Sequence, residues 1–134
     1  MGYYTYYHLD VGETLEEAKA GYSNVSIEAR REMAIALYTE ICDWYSESEL
    51  PIIKERIIES HDPLNYELEF ESIKWYSHDN DMLELSIRYL NYYFALYGEG
   101  EDRGDDWIAY YHNGKYQICT GRIVYDTPNE TLFI

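Results

Sequence analysis

The chain has 134 residues with a formal net charge of −16, from 26 acidic and 10 basic side chains, together with 17 tyrosines and 46% hydrophobic residues. A domain this acidic repels a phosphate backbone where a nucleic-acid-binding protein would be drawn to it, so direct nucleic-acid binding is disfavoured. The apolar and aromatic content is too high for a disordered acidic tail and the length suits one core, so a single domain over 1–134 is expected.

The acid is evenly spread: residues 1–50 hold 10 acids and 3 bases, 51–100 hold 10 and 4, and 101–134 hold 6 and 3. That distribution predicts a solvated surface all round the domain rather than a charged arm. No segment approaches the roughly 20 apolar residues that cross a bilayer, and the opening MGYYTYYHLD lacks a basic stretch followed by an apolar one. A cytoplasmic protein without membrane contact is expected. Cys42 and Cys119, without further cysteines to form a disulfide framework or zinc site, read as free thiols that pack as small apolar residues.

In chain order, residues 3–11 predict a strand with Thr5, Tyr7, Leu9 and Val11 on one face and Tyr4, Tyr6 and His8 on the other. Thr14 with Glu17 forms a capping-box signal for a short helix ending near Gly21. Ser26 caps the main helix, read over 27–46 from the spacing of Ala29, Met33, Ala36, Leu37, Ile41 and Trp44. Pro51 suits the first turn of the next helix, whose stripe is Ile52, Ile53, Ile57 and Ile58 and which His61-Asp62-Pro63 ends. Leu64, Tyr66, Leu68 and Phe70 alternate with Asn65, Glu67, Glu69 and Glu71, the pattern of a half-buried strand with an acidic outer face.

Residues 79–90 return to helical spacing through Met82, Leu83, Ile87 and Leu90, with Ser77 or Asp79 as cap. The apolar run 92–97 predicts a buried strand. Residues 107–112 and 115–120 flank Asn113-Gly114, the strongest hairpin signal in the chain, and Ile123-Val124-Tyr125 extends or follows its second arm. The order implies an α+β domain: a mainly antiparallel sheet with helices packed on one face, ferredoxin-like with helical insertions as one candidate topology.

Chemistry is sparsely signalled. The loop 98–106 (GEGEDRGDD) has the composition of a calcium site but lacks EF-hand spacing, and Arg103 opposes a cation from within. The histidines at 8, 61, 78 and 112 form no ligand pair, the cysteines occupy apolar positions unsuited to a thiolate, and no phosphate-binding loop is present. No catalytic residue, metal site or cofactor is therefore assigned.

The segments Lys74-Trp75-Tyr76-Ser77-His78-Asp79-Asn80-Asp81-Met82, Gly98-Glu99-Gly100-Glu101, Gly104-Asp105-Asp106-Trp107 and Tyr110-Tyr111-His112-Asn113-Gly114-Lys115 follow a pattern W-Y-x-H-x-x-D-M, G-E-G-E, G-D-x-W-x-x-Y, N-G-K. Over about residues 74–115 the chain resembles a group of small tailed-phage and prophage proteins, most without assigned activity. The resemblance implies a phage origin, in which small acidic proteins often antagonise host defence, and transfers no catalytic residue.

The expected function is an inhibitory binding protein of anti-CRISPR or anti-restriction type. It would occlude a basic, nucleic-acid-binding host nuclease or CRISPR effector with a complementary acidic surface. Its contact residues are expected among Glu67, Glu69, Glu71, Glu99, Glu101, Asp102, Asp105 and Asp106. Two alternatives stay open: a small-ligand or metal-dependent enzyme using the loop 98–106, and a phage accessory protein that self-associates through its tyrosines. Homodimerisation through an exposed strand such as residues 3–11 is compatible with the inhibitor and the accessory protein.

Overall fold

A computed structural model describes residues 5–69, 74–100, 106–121 and 127–132. Four strands, β1 (Thr5–Gly12), β2 (Tyr93–Gly100), β3 (Trp107–His112) and β4 (Lys115–Thr120), form one sheet in the order β1-β2-β3-β4, each pair antiparallel. Among the described residues, five α-helices accompany them: α1 (Leu15–Ala20), α2 (Ile27–Ile35), α3 (Leu50–Glu59), α4 (Tyr66–Glu69) and α5 (His78–Arg88). The fold is α+β, as expected. Spatial neighbours are sequence neighbours, so the sheet is a sequential meander and not the interleaved ferredoxin-like arrangement.

Local signals set most boundaries. Thr14 Oγ1 accepts the Glu17 N–H at 3.2 Å and Gly21 closes α1, while Ser26 Oγ accepts the Ala29 N–H at 3.1 Å to start α2. Asn113 and Gly114 adopt φ of 49° and 72°, the left-handed pair that a two-residue hairpin requires, and β3 and β4 pair residue for residue around them.

The core lies between one sheet face and α2–α5. Leu9, Val11, Phe94, Leu96, Ala109 and Tyr111 point into it from the strands and meet Met33, Leu37, Ile53, Ile57, Met82 and Leu85 from the helices. The six-residue α1 lies on the opposite face, where a Cβ on Gly12 would sit 2.6 Å from the Glu17 Cβ and where Ala18 and Ala95 are buried. Among the described residues, no helix is long and apolar enough to cross a membrane.

Several expectations are corrected. The main helix keeps α geometry only to Ile35. Ala36–Ile41 is a π-helical stretch that closes with Cys42 N–H on the Leu37 carbonyl at 2.8 Å, and Trp44 lies beyond it. The wider turn allows three consecutive residues, Ala36, Leu37 and Tyr38, to be buried. On α3 only Ile53 and Ile57 are buried, while Ile52 and Ile58 face out.

Residues 64–69 are not a strand. Pro63–Asn65 is a 3₁₀ turn leading into α4, and Leu64 and Leu68 reach the core at helical i,i+4 spacing. Phe70 and Glu71, like 73 and 123–125, lie outside the described residues. Ser77 occupies the N-cap position of α5 without a side-chain capping bond, since its Oγ donates to Asp81 instead. Cys42 is a buried free thiol, but Cys119 is exposed on β4.

The 3₁₀ turn has a specific task. The buried Asn65 side chain accepts the Leu9 N–H at 2.7 Å and donates to the Leu9 carbonyl at 2.9 Å, supplying the pair of bonds that another strand would have given β1 on its outer edge.

Two substitutions test this frame. Leu37 is fully buried, so Leu37→Ala is expected to lower unfolding free energy by about 2–5 kcal/mol in urea titration, with exposed Glu28→Ala within about 0.5 kcal/mol of wild type. Asn65→Ala leaves a buried amide and carbonyl of Leu9 without partners and is expected to cost about 2–4 kcal/mol. An effect below 1 kcal/mol would show that water replaces Asn65 freely.

Candidate functional site

Strand alternation places Tyr6, His8 and Asp10 of β1 on the face opposite the core, with Tyr97 and Glu99 of β2 and Ile108 of β3. Tyr6 stands opposite Glu99, and His8, Tyr97, Ile108 and Cys119 form a row across all four strands. Among the described residues, α1 packs on this face over Gly12 and Ala95, away from Tyr6, which is 58% exposed.

Carboxylates rim the open rings. The Tyr97 phenol is pushed above its ordinary value by loss of solvent and then by the negative charge of Asp106 and Glu99. His8 Nε2 lies 3.2 Å from Asp10 Oδ1, and that hydrogen bond raises the imidazole pKa against the opposing effect of burial. The charges of Asp10, Asp62 and Glu69 act in the same upward direction. Aromatic faces set among carboxylates suit arginine and lysine side chains, by cation–π stacking over the rings and charge-assisted hydrogen bonds at the rim.

The residues expected from the sequence are only partly brought together. Glu99 is exposed and Asp106 half-buried beside Tyr97, and exposed Glu69 reaches the same rim from α4 through its field at His8. Glu67 is turned inward, where its carboxylate accepts the Tyr45 hydroxyl, and so it cannot form an outer acidic stripe with Glu69. Glu71, Glu101, Asp102 and Asp105 lie outside the described residues, as does most of the loop read as a calcium candidate. Among the described residues, no group of three or more His, Cys, Asp or Glu is placed to hold a metal ion. Asp10 and Tyr97 were not singled out from sequence. The signal for them is the pairing of strands 88 or so residues apart, which only the fold supplies.

The W-Y-x-H-x-x-D-M segment performs a packing task. Trp75 is 2% exposed and its Nε1–H donates to Asp81 Oδ2 at 2.7 Å; the same oxygen accepts from Ser77 Oγ at 2.8 Å and Cys42 Sγ at 3.5 Å. Asp79 Oδ1 accepts the Tyr111 hydroxyl at 2.5 Å. His78 stacks on Trp107 with ring centroids 5.0 Å apart, and its Nδ1 lies 3.2 Å from Asp79 Oδ1 without hydrogen-bond alignment. Burial and then the Asp81 charge push the Cys42 thiol far above its ordinary pKa, so it serves as a neutral donor and not as a nucleophile at neutral pH.

The rim makes a titration prediction. His8 should titrate above 6.5 by NMR, and Asp10→Asn should lower its midpoint. Because the folded-state value is raised, the stabilisation His8 contributes is complete below the unfolded value and disappears as pH rises through the folded one. A midpoint unmoved by Asp10→Asn would remove Asp10 as the cause. Compared with known proteins, the chain matches no protein-family model, and no curated protein or solved structure is significantly similar to it.

Proposed function

We propose that this protein is an inhibitory binding protein that occupies the basic, nucleic-acid-binding surface of a partner, and that the open, acid-rimmed tyrosine face of its sheet makes the contact. The partner class is a host defence effector, a nuclease or CRISPR effector, met in the cytoplasm. The observation that carries the reading is Tyr97 between Glu99 and Asp106 on a face with Tyr6 exposed, because it joins stacking rings to carboxylates where a nucleic-acid-binding sheet would carry cations. The charge of −16 favours rapid encounter with a basic groove, and the rings, once desolvated, slow departure. The resemblance to tailed-phage proteins fits such a role.

The test is affinity capture from host lysate followed by kinetics with the captured protein. The association rate should fall steeply with ionic strength, and free DNA or RNA should compete. Glu99→Gln with Asp106→Asn should slow association, while Tyr6→Ala and Tyr97→Ala should chiefly raise the dissociation rate, by tenfold or more for a ring at the centre of the contact. The reading fails if no basic nucleic-acid-binding protein is captured, or if the captured one binds nucleic acid normally when saturated with this protein.

A further inference from the structure

The two edges of the sheet are treated differently. The β1 edge is closed at Leu9 by Asn65, whereas all six residues of β4 are exposed and, among the described residues, no strand pairs with its outer side. Tyr116 and Ile118 are 49% and 48% exposed on the face that bears α2–α5, and Cys119 is exposed on the other. The Gly121 N–H donates to the Asp106 carbonyl at 2.7 Å, which fixes the alternation: 117, 119 and 121 turn their backbone groups toward β3. Tyr116, Ile118 and Thr120 therefore turn theirs outward.

Exposed edges are ordinarily guarded by charge, proline or a bulge. β4 has no proline, pairs with β3 without a bulge, and carries a single charge at its first residue, Lys115. Residues 107–125 contain no carboxylate, the longest such interval in a chain with 26 of them. The strand itself therefore adds no negative charge that would repel a second copy of it at contact distance.

We propose that two copies of this chain associate by antiparallel pairing of β4 with β4 about a two-fold axis at Ile118, joining their sheets into one. In this register Ile118 faces Ile118 of the second copy, Tyr116 faces its Thr120, and Lys115 faces its Gly121. Lys115, Gly121 and Asp106 lie on the same sheet face. Gly121 has no side chain, so among the described residues none stands between Lys115 of the second copy and the Asp106 carboxylate, and the two-fold repeats that link. One edge thus carries both the cation and the carboxylate it needs, at positions that exchange under the symmetry, which selects a second copy over an unrelated strand.

Sedimentation equilibrium at increasing concentration reads the assembly: the expected species is a dimer of twice the 16.0 kDa chain mass. Ile118→Pro removes an outward N–H that β3 does not use, and Lys115→Glu turns the cross-dimer attraction into repulsion. Each should weaken dimerisation at least tenfold while circular dichroism stays that of wild type. Ile118→Cys in a Cys119→Ser background should give a disulfide-linked dimer under mild oxidation, because paired Cα atoms about 5.5 Å apart suit the bond, whereas a cysteine at exposed Lys54 should not. A wild-type chain that remains at 16.0 kDa to millimolar concentration overturns the proposal. So does a folded Ile118→Pro variant that dimerises as wild type, or cross-linking at Lys54→Cys equal to that at Ile118→Cys.

Discussion

Carboxylates that approach the interior are held by neutral donors, and much of the architecture depends on that arrangement. With 26 acids and 10 bases, at least sixteen carboxylates have no cation of their own. Arg88 bridges Glu40 and Glu84 at the surface, where such pairs contribute little. Deeper in, Asp81 is held by an indole, a hydroxyl and a thiol, Asp79 by the Tyr111 phenol, and Glu67 by the Tyr45 phenol. The abundance of tyrosine gains a physical reason here: a phenol contributes apolar area and one strong donor without requiring a second charge to be desolvated. These contacts join α5 to β3, the end of the π turn to α5, and the segment after it to α4, so they also brace the helical layer against the sheet.

The same scarcity of cations shapes the surface. Among the described residues, helices α2–α5 cover one face of β1–β3 and α1 covers part of the other, which leaves two regions of opposite character exposed. One is the rim around Tyr97, where rings lie beside carboxylates. The other is β4, whose own exposed side chains include rings and aliphatic groups but no acid. A chain of uniform negative charge would offer one kind of surface; this sheet offers two.

What was legible in the sequence was local chemistry. Thr14 and Ser26 as caps and Asn113-Gly114 as a turn act through neighbouring backbone groups and need no tertiary partner. Residues 64–69 misled because Leu64 and Leu68 satisfy a period of two and a spacing of four equally well. The fold also uses Asn65 to bond Leu9, 56 residues away, a contact absent from the local pattern. The π turn was illegible for a related reason, since the burial of Tyr38 is set by its hydroxyl reaching the Leu64 carbonyl. The acidic site was half legible: Glu99, Asp106 and Glu69 carry composition, but their grouping around Tyr97 and His8 depends on the register of β1 against β2, and the inward turn of Glu67 on Tyr45.

That register has a consequence for how the chain reaches its native state. Thr5 pairs with Gly100, so β1 is synthesised first and receives its in-sheet neighbour only after every described α-helix has been made. The β3–β4 hairpin closes over two residues, whereas the β1–β2 pairing closes the longest loop in the fold and bears the largest ordering cost before its bonds form. Asn65 comes within reach of Leu9 well before β2 does, and can occupy one edge of β1 while the other still waits. A strand held from its outer side first is withdrawn from pairing with other nascent chains during the interval when it is most exposed to them.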